Sequence, residues 1–451
     1  NFGIDNIKNS HPIIIYKNFR YWWRTDNKDS STRYVCSETN CFASIRIKQN
    51  KVVKQNGKHY HDSLTDSEII LLKSTQDLKK EVTADITKSI QKCYNNTQSQ
   101  LVEQNVPKRM IAANLPQLKR IANTLHKKRG KKLPSIPNVF AELVIEGEYS
   151  LTTDKNQFLR YDNKSPDKRI IIFLDDQCLK IMSDSEEWFI DGTFKASPIQ
   201  LTQLFTIHVA IKGSFEYTTI PCAYILASLK DEKTYREAFG FIKDLAIEKN
   251  FTLNPVTVMT DFEIASINAI KFHFPNVILK GCWFHFRQAV FRNSVKFGLK
   301  QHYHKDEYRE FINLLGALSL LPLDKVEEGF QKIKSYMPND PKCDNLYKYF
   351  ERQWIKNTKI SEWNHHNSNV RTNYRIEGFH SGLNKMITSY HPNIFVLIKH
   401  LKVQQDCSLY PYEYWFDSEG AINNDEDTTI EQSSKEQECG NHDQEIAYAQ
   451  L

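Results

Sequence analysis

The chain has 451 residues, 40% of them hydrophobic, and a formal net charge of +6, a length that suggests two to four units at roughly 100 to 200 residues each. No apolar run approaches the ~18 residues needed to cross a bilayer, and no charged start leads into an apolar stretch, which argues against a membrane role and a secretory signal. Nine cysteines without the dense spacing of a disulfide scaffold favour a reducing compartment, cytosol or nucleus, with thiols kept for packing or metal.

A start at Asn1 rather than Met reads as a chain whose beginning is missing. From Pro12 to His61 the text is aromatic and β-rich, with Tyr16, Phe19, Tyr21, Trp22, Trp23 and Tyr34 around the polar turn Thr25 to Thr32, and predicts three or four short strands. Cys36 and Cys41, then His59 and His61, offer two thiolates and two imidazoles to one tetrahedral ion, the mixture zinc prefers. The cysteines are expected to flank a turn and the histidines to share one face of an extended strand. A unit of ~60 residues buries too little surface to be secure alone, so a structural metal makes sense here.

Phe19-x-Tyr21, Tyr34-x-Cys36, Cys41-x-Ala43 and His59-x-His61 follow in that order, and residues 12–62 resemble the FLYWCH-type zinc finger. The chain departs from that family in carrying Tyr34 where Trp is usual. The resemblance implies a structural Zn²⁺ in a DNA-binding or protein-binding module, expected over residues 1–66. Lys17, Arg20, Arg24, Arg33, Arg46 and Lys48 are available for phosphates.

Residues 67–137 change to helical spacing, first through Ile69, Leu72, Leu78, Val82 and Ile86, then through Ile111, Leu115, Leu118, Ile121 and Leu125. Residues 101–135 hold nine Lys or Arg against one Glu, a stripe that reads as a nucleic-acid footprint or, more blandly, as a solvated helix face. Lys127, Lys128, Arg129, Gly130, Lys131 and Lys132, followed by Leu133, Pro134 and Pro137, look like a basic linker that serves as a nuclear address or a phosphate contact. A nuclear location is therefore expected.

A mixed α/β sheet flanked by helices is expected over residues 138–300, from strands at 169–174, 188–194, 204–211 and 219–228, a helix at 233–249, a strand at 256–260, a helix at 263–273 and a strand at 277–280. Residues 301–360 lose strand character and read as an all-helical insertion, with Phe311, Leu314, Leu315 and Leu318 on one face. The sheet domain should resume over 361–414 with a helix near 373–387. Residues 415–451 are expected to be an acidic, disordered tail; from 417 on they carry ten acids against one Lys.

Three of the 54 acidic residues are set apart by their surroundings. Asp191 interrupts the apolar strand Trp188 to Phe194, Asp261 ends the strand Val256 to Asp261, and Glu377 sits among Ile376, Phe379 and Leu383 on the last helix. A charge buried there at a cost of several kcal/mol wants a metal or a cation, and two neighbouring carboxylates repel without one. Hard oxygen donors without thiolates suit Mg²⁺ or Mn²⁺. The bland alternative is that Asp191 caps a turn with Gly192, Asp261 N-caps the next helix and Glu377 is a surface acid.

The segments Asp191-Gly-Thr-Phe194, Leu204 to Ile211, Thr260-Asp-Phe-Glu263, Gly281-Cys-Trp-Phe-His285-Phe286 and Arg371-Thr-Asn-Tyr-Arg-Ile-Glu377-Gly-Phe-His380 come in an order that resembles the transposase of Mutator-like elements, the MULE family, over residues 165–300 and 365–395. That resemblance implies an RNase H-like fold with a helical insertion before Glu377, and a DDE mechanism in which Asp191, Asp261 and Glu377 hold two Mg²⁺ or Mn²⁺ ions. Cleavage would free 3′-hydroxyls at transposon ends for strand transfer into target DNA. The implied partners are double-stranded DNA, as terminal inverted repeats and target, and further copies of the chain in a homo-oligomer on DNA. Cys282 and His285 match a motif of the family and, with His380, Arg371 and Arg375, are candidates for DNA contact or site organisation; a packed thiol and a hydrogen-bonded core imidazole are the bland reading of the first two. The rival to an active transposase is a domesticated, non-catalytic zinc-finger DNA-binding regulator.

Overall fold

The computed structural model describes residues 2–8, 11–211, 218–368, 370–387 and 390–421. The chain divides into two units, residues 1–135 and 136–451. Among the described residues no helix is long and apolar enough to cross a membrane.

In the first unit β1 (Phe2–Lys8), β2 (His11–Tyr16), β3 (Phe19–Asp26), β4 (Thr32–Cys36), β5 (Ser44–Lys48) and β6 (Lys51–Asn56) pair antiparallel in sequence order. Where three or four strands were expected, the chain forms β2 to β6. The additional breaks are two-residue hairpins at Lys17-Asn18 and Gln49-Asn50, all four residues with φ between 47° and 61°. Such turns suit the twist of the strands they join, but without a Gly they leave little trace in a sequence. Tyr21, Tyr34, Cys36, Ala43 and Ile45 form the small core.

The strand ends at Asn56, so His59 and His61 lie in irregular chain beyond β6 and not on a strand face as expected. Gly57 makes that exit: its φ is +77°, and a Cβ there would stand 3.0 Å from Ala43 Cα.

Four helices complete the unit: α1 (Asp66–Ala84), α2 (Ile90–Glu103), α3 (Lys108–Asn114) and α4 (Leu118–Gly130). Thr65 and Glu68 cap α1 reciprocally, and Ser89 caps α2. The apolar period from Ile111 to Leu125 is two helices, because Pro116 drives Leu115 into extended backbone at ψ 117°. Leu71, Leu78, Val82, Cys93, Leu101, Ile111 and Leu125 pack between them. Of the basic run, Arg129 is committed to structure: it donates to the carbonyls of Val82 and Lys88 at 2.9 and 2.7 Å.

The second unit is built on β7 (Leu159–Asp162), β8 (Ile170–Phe173), α5 (Asp176–Asp184), β9 (Glu187–Thr193), β10 (Gln203–Ala210), β11 (Thr219–Ala227), α6 (Glu232–Glu248), β12 (Thr257–Thr260), α7 (Ile264–His273) and β13 (Ile278–Gly281). The sheet order is β13-β12-β9-β10-β11-β8-β7, with β9, β12 and β13 parallel and the other pairings antiparallel. Strand β7 and helix α5 had no counterpart in the sequence expectation. Arg169, fully buried just before β8, holds β7 to it through both oxygens of Asp162 at 2.9 and 2.7 Å.

Beyond the sheet come α8 (Trp283–Lys296), α9 (Asp306–Ala317), α10 (Val326–Ile333), α11 (Pro341–Phe350), a π-helical extension (Glu351–Asn357) and α12 (Ile360–Trp363). Phe286 and Val290 of α8 join Phe311, Leu315, Phe330, Phe350 and Trp363 in one core, so this helical body begins before residue 301. Helix α13 (Tyr374–Ile387) returns to the sheet, and α14 (Ile394–Ala421) continues through 415–421, the start of the segment read as an acidic tail. Residues 422–451 of that segment lie outside the described residues.

Strand alternation sorts the sheet into two chemically different faces. Trp188, Ile190, Phe205, Ile207, Val209 and Val258 point into the large apolar core with α5, α6 and α7. Phe189 and Met259 point the other way, onto Ile376 of α13. Asp191, Thr206, His208 and Asp261 share the parity of that second face, which is why polar groups collect there.

Candidate functional site

In the first unit the β3–β4–β5 core brings Cys36 and Cys41 to His59 and His61, and all four ligand atoms lie within 4.8 Å of one another. Cys36 Sγ is 3.2 Å from His61 Nε2, Cys41 Sγ is 3.4 Å from His59 Nδ1, and the two ring nitrogens are 3.1 Å apart. Ligands of a tetrahedral zinc stand about 3.3 to 3.8 Å apart, so the set can hold such an ion. Each histidine uses its outer nitrogen elsewhere: His59 Nε2 meets the Tyr21 hydroxyl at 2.8 Å and His61 Nδ1 meets the Asp62 carbonyl at 2.9 Å. Such contacts fix the ring and its tautomer. Phe19 stacks on His59 with centroids 3.6 Å apart. Burial, with Cys36 and Cys41 close by, pushes the Tyr21 hydroxyl up to about 12, so it stays protonated. Tyr21 was visible in the sequence only as part of a pattern; its bond to His59 was not.

In the second unit Asp191, near the end of β9, stands opposite Thr206 of β10. Its Oδ2 is 3.4 Å from His380 Nδ1, and the other nitrogen of that buried ring is 3.1 Å from Thr206 Oγ1. Asp261 follows the last residue of β12 and accepts from the Glu263 amide at 3.2 Å; Glu263 is the N-cap of α7, so Asp261 does not cap that helix. Gly281 admits the Phe262 ring beside Asp261, since a Cβ there would fall 2.1 Å from Phe262 Cζ. Glu377, in the first turn of α13, lies 3.9 Å from His285 Nε2.

The carboxylates sense one another. Burial first, and then the Asp191 charge, hold Asp261 above the ordinary carboxylate range, against the Glu263 amide, His285 and Lys230. Burial likewise raises Glu377, with Asp191 adding to it and His285 and His380 working against it. Among the described residues the three carboxylates do not all come within 4.8 Å; Glu377 is grouped instead with Cys282 and His285. At 33% and 11% side-chain exposure, Glu377 and Asp191 are not free surface acids.

A cleft of about 720 Å³ opens over this face, lined by Asp191, Gly192, Phe194, Lys195, Glu377, His380, Asn384, Lys385 and Tyr390. Phe194 and Tyr390 are exposed at its rim, with the Lys195 ammonium 5.3 Å from the Tyr390 ring centre. Cys282 and His285 occupy the N-terminal end of α8: Cys282 is buried, its sulfur is 2.8 Å from Asn373 Oδ1, and burial pushes its thiol up to about 11. Arg371 and Arg375 line a separate, smaller cleft of about 220 Å³ with Phe189, Thr219 and Tyr374, away from Asp191. Thr206 and Asn373 were missed by sequence reasoning. Strand parity could have found Thr206, while nothing in the local text marks Asn373.

Residues 187–289 match the family model of the MULE transposase domain. The match covers less than a quarter of the chain. It takes in Asp191, Asp261, Cys282 and His285 and ends before Glu377. It supports a transposase-related function, and with it DNA binding and the general use of divalent metal. No curated protein matches the chain.

Proposed function

We propose that the chain is a DNA transposase of the DDE type, cutting at transposon ends and joining the freed 3′-hydroxyl to target DNA. The observation that carries this reading is the polar sheet face under α13, where Asp191 of β9 and Asp261 at the end of β12 share one side of the sheet and Glu377 stands in the first turn of α13, with burial first and Asp191 after it holding Asp261 and Glu377 above the ordinary carboxylate range. Like charges gathered in a half-buried cleft are suited to divalent cations, and oxygen donors to Mg²⁺ or Mn²⁺. Two such ions, when bound, supply activation of the attacking hydroxyl and stabilisation of the leaving oxygen. The protein's own part is to hold Asp191 through His380, to hold Asp261 through the Glu263 amide, and to present Glu377 from the first turn of α13, beside His285. Lys195 and Lys385 line the same cleft, where a DNA backbone would need cations.

The strand order β11-β10-β9-β12-β13, antiparallel on one side of β9 and parallel on the other, supports an RNase H-like fold. In the first unit the Cys36, Cys41, His59 and His61 set supports a structural Zn²⁺ in a FLYWCH-type finger. On this reading the partners are double-stranded DNA and further copies of the chain, in the nucleus.

The test is Mg²⁺-dependent nicking and joining of plasmid DNA by the full chain. Asp191→Asn, Asp261→Asn and Glu377→Gln should each reduce it at least about 1,000-fold while leaving DNA binding in place. Binding without nicking in the unmutated chain is the result that selects the non-catalytic regulator.

A further inference from the structure

A second set of ligand atoms converges beside the carboxylate face. Cys282 immediately precedes α8, His285 stands in its first turn, and Glu377 reaches across from α13; one ligand atom of each lies within 4.8 Å of the other two. Thiol, imidazole and carboxylate together are a mixture that a thiophilic ion favours and Mg²⁺ does not need. The 3.9 Å between His285 Nε2 and Glu377 Oε1 is slightly above the separation of about 3.3 to 3.8 Å for tetrahedral zinc ligands. A small movement of the partly exposed Glu377 closes the set.

Asn373 points independently to a ligand at the sulfur. It is 1% exposed, its Oδ1 touches Cys282 Sγ at 2.8 Å, and its Nδ2 has no hydrogen-bond partner among the described residues. An amide flip exchanges the two atoms, so a side chain that accepts from the thiol in one orientation donates to a thiolate in the other. A donor of that kind is a typical outer partner of a metal-bound ligand. The Asn373 carbonyl also accepts from the Ile376 and Glu377 amides at 2.8 and 3.1 Å, coupling the sulfur to the helix end that carries Glu377. Glu377 Oε1 is itself buried and without a hydrogen-bond partner among the described residues.

We propose that Cys282, His285 and Glu377 bind one thiophilic divalent ion, Zn²⁺, and that its binding keeps Glu377 from Asp191 and Asp261 and so inhibits DNA cleavage. Binding releases the Cys282 thiol proton to solvent, and water takes the fourth position. The ion-binding part stands without the transposase reading; the inhibitory part rests on it.

The experiment uses the full chain carrying Cys36→Ser and Cys41→Ser, which silences the other Cys/His set, with Co²⁺ as an optical probe. One equivalent of Co²⁺ is expected to give thiolate-to-metal absorption that Zn²⁺ displaces. Adding Cys282→Ser should abolish it, and Glu377→Gln should weaken binding at least about 10-fold. No thiolate-to-metal absorption, or absorption indifferent to both further substitutions, overturns the site. In the chain with Cys36 and Cys41 intact and their set already filled with Zn²⁺, one further equivalent of Zn²⁺ should lower Mg²⁺-dependent nicking at least about 10-fold, an effect that Cys282→Ser removes, and undiminished nicking with the site filled overturns the inhibition. Co²⁺ binding through Cys282 in the substituted chain, together with no nicking by the chain whose Cys36 and Cys41 are intact, keeps the site and refutes the cleavage reading alone.

Discussion

His380 Nδ1 lies 3.4 Å from Asp191 Oδ2, and the same ring reaches Thr206, the cross-strand partner of Asp191, with its other nitrogen 3.1 Å from the hydroxyl. The side chain of Asp191 is thus met from α13 by a ring that Thr206 of the sheet touches on its other side. On the proposed function this geometry makes His380 a positioning residue for Asp191. His380→Ala is expected to lower nicking about 10- to 100-fold and to raise the Mg²⁺ concentration needed for half-maximal rate. His380→Asn keeps a donor near the Nδ1 position and should recover most of the loss. A metal requirement unchanged in His380→Ala, read from Mg²⁺ titrations of the rate, would count against the role.

Asp261 and Glu377 both take up protons more readily in the folded chain than ordinary carboxylates do. A raised folded value means that their contribution to stability is fully present below the ordinary carboxylate range and is lost as pH rises through the raised values. Without divalent metal, the second unit should therefore lose stability across that window, and added Mg²⁺ should restore it increasingly at higher pH. Asp261→Asn removes the buried charge and should raise the metal-free melting temperature by about 2 °C, roughly 1 kcal/mol. It should also remove the Mg²⁺-dependent gain. Calorimetry between pH 4 and 8 checks both signs.

Tyr21 and His59 give a separate test in the first unit. Tyr21→Phe removes the hydroxyl that meets His59 Nε2 at 2.8 Å and should weaken Zn²⁺ binding about 10- to 100-fold. Chelation of the unmutated chain should collapse the tertiary dispersion of methyl and aromatic NMR signals from residues 12–62. Dispersion that survives metal removal would show that the sheet stands without an ion.

Arg169 is fully buried against Asp162, with further bonds to the carbonyls of Phe140 and Leu143. Arg169→Met leaves the Asp162 carboxylate without its main partner and should destabilise the second unit by about 3 to 5 kcal/mol in denaturant unfolding. Arg169→Met with Asp162→Leu should recover much of that loss, since an apolar pair leaves no uncompensated charge.

Most of the second unit's sheet was legible in the sequence because Ile170 to Phe173 is a continuous apolar run, Gln203 to Ala210 is rich in β-branched and aromatic residues, and α6 and α13 carry a clear helical period. Strand β7, with no fully buried residue, gave no such signal. In the first unit, hairpins turning on Lys17-Asn18 and Gln49-Asn50 concealed two strand boundaries, and Pro116 divided what reads as one amphipathic period. Asp191, Asp261 and Glu377 stand out by their apolar neighbours. Their partners do not: the contact of His380 with Asp191 spans 189 positions (380 − 191) and that of Asn373 with Cys282 spans 91. Contacts of that range depend on how α13 docks, which local spacing does not encode.

On the proposed function, Asp191, Asp261 and Glu377 jointly hold the divalent ions that cut DNA. Electron paramagnetic resonance of Mn²⁺ bound to the full chain with duplex DNA tests it most directly, because two ions about 3.5 to 4 Å apart are magnetically coupled. A coupled pair in the unmutated chain, lost in Asp191→Asn, Asp261→Asn and Glu377→Gln, is the expected result. Identical Mn²⁺ spectra in the unmutated chain and in the triple variant would contradict it.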